Sequence, residues 1–209
     1  PEAARRMHKA ISEWLVSNPN QSGLVGVDCE WKPNFRADPS EAQPVLLMQV
    51  CFHPMQQTYL LDLQTLIRPL PPRAAPKNAI VASNSEVIEK LYQPHRLIKT
   101  GFKVMNDFKR LAASYPHISA FRVVNTVLEL SRTGMRVMQL TKQAESIKAT
   151  SSLSKMTEFF LSKTLNKYQQ VSDWSIRPMT SAQIEYASLD AVITPYLIEH
   201  LLQQVNVEI

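Results

Sequence analysis

Residues 24–31 read LVGVDCEW, and this stretch decides the fold prediction. Its apolar flanks are typical of a central, covered strand. Because side chains alternate across a strand, Asp28 and Glu30 share one face. Gly26 lies on the same face, where its missing side chain would let a ligand or a backbone approach closely. Two adjacent carboxylates repel each other unless a cation neutralises them, so the strand is a candidate metal site. The alternative is a half-exposed strand with two solvated acids.

The segments around this strand predict an α/β fold. Residues 45–52 and 59–63 are predicted strands that form an antiparallel meander with the first, and residues 96–100 and 121–124 are two further strands. Helical patterns cover residues 5–16, 86–92, 104–114, 153–161 and 180–203, the last with Pro195 expected to kink or split it. The order of elements predicts a mixed sheet covered largely by helices.

Two further segments lack a regular pattern. The proline-rich residues 69–76 are incompatible with a helix or a central strand and predict an exposed loop. Residues 132–152 are polar and poorly periodic, which predicts a flexible insertion.

Composition bounds the class of protein. The chain has 209 residues, of which 44% are hydrophobic, which suits a single domain, residues 1–209. The first residue is proline, so a fragment of a longer protein is expected.

The sequence contains no run of about 18 apolar residues, which excludes a membrane-spanning helix. The absence of a coiled-coil pattern favours a monomer, and the net charge of +5 is compatible with a polyanionic partner. Two cysteines form neither a disulfide framework nor a zinc pattern, which indicates a cytoplasmic or nuclear protein.

Three more polar residues stand at informative positions. Tyr186 and Asp190 are four residues apart on a predicted helix, so both side chains point the same way. The alternative is a core tyrosine beside a surface aspartate. Asp107 lies at the start of another predicted helix, where Asn106 or Asp107 would also serve as an ordinary cap.

In their order and context, these five residues resemble the DEDD superfamily of 3′-to-5′ exonucleases: Asp28, Glu30, Asp107, Tyr186 and Asp190. The tyrosine is characteristic of the DEDDy branch, which includes RNase D and the Werner-type exonucleases. Residues 165–167 (LNK), 172–174 (SDW) and 177–180 (RPMT) resemble the RNase D third-motif region. Residues 25–33 and 99–103 look most like the Nibbler group of animal exonucleases that act in small-RNA pathways. The resemblance covers roughly residues 23–201.

This resemblance implies an RNase H-like fold with a three-strand antiparallel meander plus parallel strands. It also implies a two-metal mechanism. Asp28, Glu30 and Asp190 would bind the first ion, while Asp28 and Asp107 would support the second. Tyr186 would orient the attacking water. A ligand set made only of oxygens favours Mg²⁺ or Mn²⁺ over zinc.

The implied substrate is a single-stranded RNA with a free 3′ end, shortened with release of nucleoside 5′-monophosphates. Lys167 is the main candidate for a phosphate contact, and the further candidates are Lys103, Phe102 and Arg177. Other residues of the same types are expected in ordinary structural places, Trp174 in the core and three lysines on solvated faces: Lys32, Lys99 and Lys109.

Three functions remain open on the sequence. The first is a metal-dependent exoribonuclease that trims small RNAs such as miRNA or piRNA, held by an Argonaute or PIWI-type protein. The second is a 3′-5′ DNA exonuclease of the Werner or proofreading type, since no residue distinguishes ribose from deoxyribose. The third is an inert nucleic-acid-binding module, against which the four intact acids and Tyr186 argue.

Overall fold

Five strands form one mixed sheet. They are β1 (Gly23–Trp31), β2 (Val45–Phe52), β3 (Gln57–Asp62), β4 (Leu97–Gly101) and β5 (Val127–Glu129). The computed structural model describes residues 2–34, 43–67, 88–142, 148 and 150–206. The strand order is β3-β2-β1-β4-β5, so β1 is central.

The pairing of the strands confirms the predicted meander. β1 and β2 run antiparallel, as do β2 and β3, whereas β4 pairs parallel with both β1 and β5. β2 has the bounds that its apolar run predicts, and all of its residues are buried. A sheet that is buried on both faces needs helices on both sides.

Six helices are described from end to end: α1 (Glu2–Ser17), α2 (Leu63–Leu66), α3 (Val104–Ser114), α4 (Leu130–Leu140), α5 (Leu153–Leu161) and α6 (Ser181–Gln203). Residues 88–92 are helical as well. Side chains of α1, α3 and residues 88–92 form one core layer against Val25, Val27 and Cys29 of β1. α4, α5 and α6 cover the opposite face, the one that carries Asp28 and Glu30.

The long helix α6 continues through Pro195 without a break, so the predicted split does not occur. Proline lacks the N–H that would bond to the carbonyl of Ala191. The Thr194 hydroxyl donates to that carbonyl instead, at 3.3 Å. Gly26 of β1 lies directly beneath the same carbonyl. The glycine therefore admits a close backbone approach, as the sequence predicts.

The prediction of a strand at residues 121–124 is wrong. Residues Ser119–Arg122 form a 3-10 turn, and β5 begins later, at Val127. The Phe121 ring is buried and packs 5.9 Å from the rings of both Tyr92 and Tyr115. This apolar stretch fills the core layer next to α3 instead of pairing with β4.

The flexible insertion predicted at residues 132–152 is wrong over its first part, because α4 extends to Leu140. Leu130, Gly134, Val137 and Met138 are all buried. They stand at positions i, i+4, i+7 and i+8, which is a helical pattern that the glycine and the polar residues between them obscure. Residues 143–147 and 149 lie outside the described residues.

The predicted loop at residues 69–76 also lies outside the described residues, as do the first two positions of the helix predicted at 86–92. A bilayer-spanning helix, long and apolar throughout, is not found in the described ranges.

Candidate active site

Strand β1 carries the first two acids on the face that α6 covers. Asp28 lies directly opposite Gln49 of β2, and Glu30 lies opposite Leu47. Leu47 belongs to a buried apolar cluster that includes Tyr186 and Ala187 of α6, which identifies the covered face. Glu30 is only 8% exposed, so the alternative of two solvated acids does not hold.

Helix α6 supplies Asp190 and Tyr186 to the same place. A capping box between Thr180 and Gln183 sets the start of the helix. Gln183 also donates to the Ser172 hydroxyl at 2.9 Å, which fixes the preceding loop to the helix. Asp190 is 4% exposed, so it is not the surface aspartate of the alternative reading.

Three carboxylates converge where β1 meets α6. One carboxylate oxygen from each of Asp28, Glu30 and Asp190 lies within 4.8 Å of the other two. The three residues are separated by up to 162 positions in the chain and meet only because α6 crosses β1. The structure therefore brings together three of the four acids that the sequence singles out.

The fourth acid, Asp107, lies beside this group and not within it. It is buried in the first turn of α3, whose N-cap is Lys103 without a side-chain capping bond. Burial raises the pKa of Asp107, and the negative charge of the nearby Asp28 raises it further. Asp107 is therefore a neighbour of the acid cluster and does not act as the cap of its helix.

Burial is the main electrostatic feature of the acids. It raises the pKa of Asp28 to about 7, with a further increase from the charge of Asp190. Burial and the charge of Asp28 raise the pKa of Glu30 to about 10, and the same two causes raise that of Asp107 to about 8. Carboxylates that are held together away from water favour the binding of a proton or a cation.

Lys167 supplies one positive charge to the cluster. Its Nζ donates to both carboxylate oxygens of Asp190 at 3.0 Å, and it lies 5.2 Å from the centre of the Tyr186 ring. Burial raises the pKa of Tyr186, and the nearby Asp190 raises it further, so the phenol stays protonated at neutral pH. Tyr186 can thus donate a hydrogen bond, while Lys167 balances part of the acidic charge.

The other predicted nucleic-acid contacts lie in different surroundings. Phe102 is half-buried against the core layer under α4 and α6, and the exposed Lys103 places its Nζ 5.4 Å from the Phe102 ring. Arg177 makes a two-pronged ion pair with Asp62 at 3.0 Å and donates to the Trp174 carbonyl. This arginine fastens the loop before α6 to the end of β3.

Two expectations about single residues have clear outcomes. Trp174 is fully buried and contacts Tyr186, as predicted for a core aromatic. The expectation that Lys99 lies on a solvated face is wrong, because its side chain is fully buried. Its ammonium donates to the carbonyls of Leu97 at 2.7 Å and Tyr92 at 3.1 Å. Those carbonyls lie at the two ends of the turn that leads into β4. Because only the folded turn brings them together, the sequence does not predict that they bind an ammonium group.

Sequence reasoning missed Gln49. Its side chain is fully buried beside Asp28, and neither amide atom has a hydrogen-bond partner among the described residues. The available signal was a lone amide inside VLLMQVCF, residues 45–52, which is otherwise an apolar strand.

The donor set fits a hard divalent cation. Three carboxylate groups within 4.8 Å of one another supply oxygen ligands, which Mg²⁺ and Mn²⁺ prefer. The two cysteines are free and buried, with Cys29 on the opposite face of β1 from the acids. The site therefore matches a magnesium or manganese centre better than a zinc centre.

Comparisons with known proteins agree with this geometry. A sequence profile described as 3′-5′ exonuclease matches residues 7–206. The Homo sapiens exonuclease mut-7 homolog is 28% identical over 172 residues, which is 80% of this chain but only 18% of that protein. The chain therefore spans less than a fifth of that relative's length.

Solved structures share the fold. The Aedes aegypti Nibbler EXO domain matches with a TM-score of 0.64 and 20% identity, over 94% of this chain and 84% of that one. Escherichia coli RNase D matches with a TM-score of 0.61 and 13% identity, over 96% of this chain and 43% of that one. The predicted RNase H-like fold is thereby confirmed.

Proposed function

The chain belongs to the 3′-5′ exonuclease family, and we propose that it acts on RNA, removing nucleoside 5′-monophosphates from a free 3′ end. The observation that carries the proposal is the convergence of Asp28, Glu30 and Asp190 within 4.8 Å. RNA as substrate is favoured because the structural neighbour RNase D is described as an exoribonuclease involved in structured RNA processing. A second neighbour, Brucella melitensis NrnC, has been solved bound to pGG.

The proposed mechanism depends on two divalent cations, Mg²⁺ or Mn²⁺. Asp28, Glu30 and Asp190 would hold one, and Asp28 with Asp107 would hold the other. When bound, such ions acidify the attacking water and neutralise the charge on the leaving 3′ oxygen. The buried carboxylates gain from this arrangement, because a cation compensates the charges that burial disfavours.

Two other side chains have separate proposed roles. Tyr186 remains a phenol and orients the attacking water by a hydrogen bond. Lys167 exchanges its contact with Asp190 for the phosphate next to the scissile bond, since its side chain is partly exposed and already reaches the cluster. Neither role requires Tyr186 or Lys167 to give up a proton at neutral pH.

The proposed biological substrate is a small RNA in the cytoplasm, trimmed while an Argonaute or PIWI-type protein holds it. This proposal is supported by the likeness to the mut-7 homolog and to the Nibbler EXO domain. The frayed single strand would bind by stacking and phosphate contacts, without readout of base edges.

The test is a time course with 5′-labelled and 3′-labelled RNA, with and without EDTA. We expect the 5′-labelled strand to shorten one nucleotide at a time and the 3′ label to appear at once as a mononucleotide. EDTA and Asp28→Asn should each reduce the rate by at least about 100-fold, because the charge stabilisation is lost. Glu185→Gln is the control, since Glu185 is an exposed acid on α6, the helix that carries Asp190.

Each alternative has its own outcome in this assay. Faster digestion of a matched DNA strand would replace the exoribonuclease with a DNA exonuclease. Retained RNA binding with no cleavage in either Mg²⁺ or Mn²⁺ would replace the enzyme with a binding module.

A further inference from the structure

Gln49 is a buried polar side chain that the roles above leave unexplained. It lies in the middle of β2 and is fully buried. Within the described part of the chain, neither its amide nitrogen nor its amide oxygen has a hydrogen-bond partner. An unpaired buried amide destabilises the folded state, so an apolar side chain of the same size would suit that state better.

The position of Gln49 relates it to the acid cluster. It is the direct cross-strand partner of Asp28, and its other neighbour in the sheet is Leu60. Directly opposed side chains on one face of an antiparallel pair have Cβ atoms about 4.5–5.5 Å apart. Leu47, two residues earlier on the same face, belongs to the same buried cluster as Tyr186. The Gln49 side chain therefore leaves the sheet on the face that α6 covers, as the cross-strand neighbour of the Asp28 side chain.

We propose that Gln49 is a positioning residue for Asp28: when a divalent cation is bound, the unpaired amide N–H of Gln49 turns to hydrogen-bond the Asp28 carboxylate and orients it toward the cation. This inference rests on the cation site of the proposed function. A carboxylate that ligates a cation through one oxygen retains acceptor capacity for a neighbouring donor. Outer hydrogen-bond partners of this kind orient metal ligands, and their loss commonly weakens metal affinity 10–100-fold.

A second buried polar group on the same face allows a matched comparison. Thr100 of β4 is fully buried, and its hydroxyl has no hydrogen-bond partner among the residues described. It is paired with Gly26 and not with an acid. If burial of an unpaired polar atom were the whole explanation, Gln49 and Thr100 would behave alike.

The experiment measures Mn²⁺ binding directly, by calorimetry and by the electron paramagnetic resonance of free Mn²⁺, with thermal unfolding in EDTA alongside. For Gln49→Met, whose side chain is similar in length, we expect about 10-fold or greater loss of Mn²⁺ affinity. The unfolding temperature should be unchanged or higher, because an unpaired amide is removed. Gln49→Leu should give the same result, and Thr100→Val should bind Mn²⁺ as the unaltered protein does.

Several results would overturn the inference. One is wild-type Mn²⁺ affinity in both Gln49 variants, and another is an equal loss in Thr100→Val. A third is a loss of affinity that scales with a lowered unfolding temperature, which would make Gln49 merely structural. Failure of the unaltered protein itself to bind Mn²⁺ would instead refute the cation site of the proposed function, and the positioning role with it.

Discussion

At the scale of single residues, the contact between Lys167 and Asp190 has the most direct consequence for the site. The ammonium lies 3.0 Å from both oxygens of a nearly buried carboxylate. A divalent cation that takes Asp190 as a ligand must compete with this ammonium for the same oxygens. The lysine is therefore expected to weaken cation binding even while it assists the binding of a phosphate.

The variant Lys167→Gln separates these two effects. We expect its affinity for Mn²⁺ to rise several-fold, because a competing positive charge is removed. Its kcat/KM on RNA should fall about 10-fold or more, because a charge-assisted phosphate contact is lost. Calorimetry and single-turnover kinetics measure the two quantities. Lys163→Gln, an exposed lysine four residues earlier, is the control, and weaker Mn²⁺ binding by Lys167→Gln would contradict the competition.

At the scale of elements, the site depends on how closely α6 approaches β1. A Cβ added at Gly26 would collide with the Ala191 carbonyl oxygen and would lie 2.8 Å from Cδ of Pro195. Those atoms belong to the helix turn that follows Asp190. Pro195 and Gly26 thus act together. Pro195 leaves the Ala191 carbonyl without a backbone N–H donor, and Gly26 leaves room for that carbonyl next to β1.

Substitution of Gly26 by alanine should consequently move Asp190 away from Asp28. We expect Gly26→Ala to lower the free energy of unfolding by about 2–3 kcal/mol, as overpacking against a backbone atom does, and to weaken Mn²⁺ binding. Chemical denaturation and calorimetry measure both effects.

Gly134→Ala provides the comparison for this change. The added Cβ would meet side-chain atoms and no backbone atom, Cε of the flexible Met156 at 2.6 Å and Cγ2 of Thr150 at 3.3 Å, and alanine favours a helix. Its stability should stay within about 1 kcal/mol of the unaltered protein. Equal effects of the two substitutions would show that the contact between Gly26 and Ala191 has no special importance.

At the scale of the whole molecule, the acid cluster ties stability to pH and to cations. Burial raises the pKa of Asp28 to about 7 and of Asp107 to about 8, compared with 3.8 for an aspartate in water. The folded state therefore binds protons more tightly than the unfolded chain does. This contribution to stability is fully present below about pH 4 and is lost as the pH rises through 7 and 8.

In EDTA, the unfolding temperature should accordingly fall by about 5 °C or more between pH 5.5 and pH 8. Mg²⁺ or Mn²⁺ should reverse most of that fall, and should stabilise the protein more at pH 8 than at pH 5.5. The reason is that a cation competes with the protons that the acids bind at low pH. Scanning calorimetry across this range is the measurement, and an unfolding temperature in EDTA that is flat or rises toward pH 8 would refute the coupling.

Much of the architecture was predictable, because local patterns encode it. The bounds of β2, α3 and α5 follow directly from apolar runs and helical spacing. α4 was missed because Gly134 and polar neighbours interrupt the pattern that its buried residues form. The strand predicted at 121–124 failed because Phe121 packs into a core that only the folded chain creates.

The amino-acid sequence alone was enough to predict that Asp28 and Glu30 share one face and that a small residue is needed at Gly26, since alternation along a strand is a local property. The folded chain was needed to show that Asp190 completes a three-acid group, that Asp107 stays beside it and that Lys99 is enclosed by carbonyls. It also placed Gln49, with its unpaired amide, directly opposite Asp28 in the sheet. Those facts depend on the pairing of strands and on the crossing of α6 over β1, and the energies of such long-range contacts leave no local pattern in the chain.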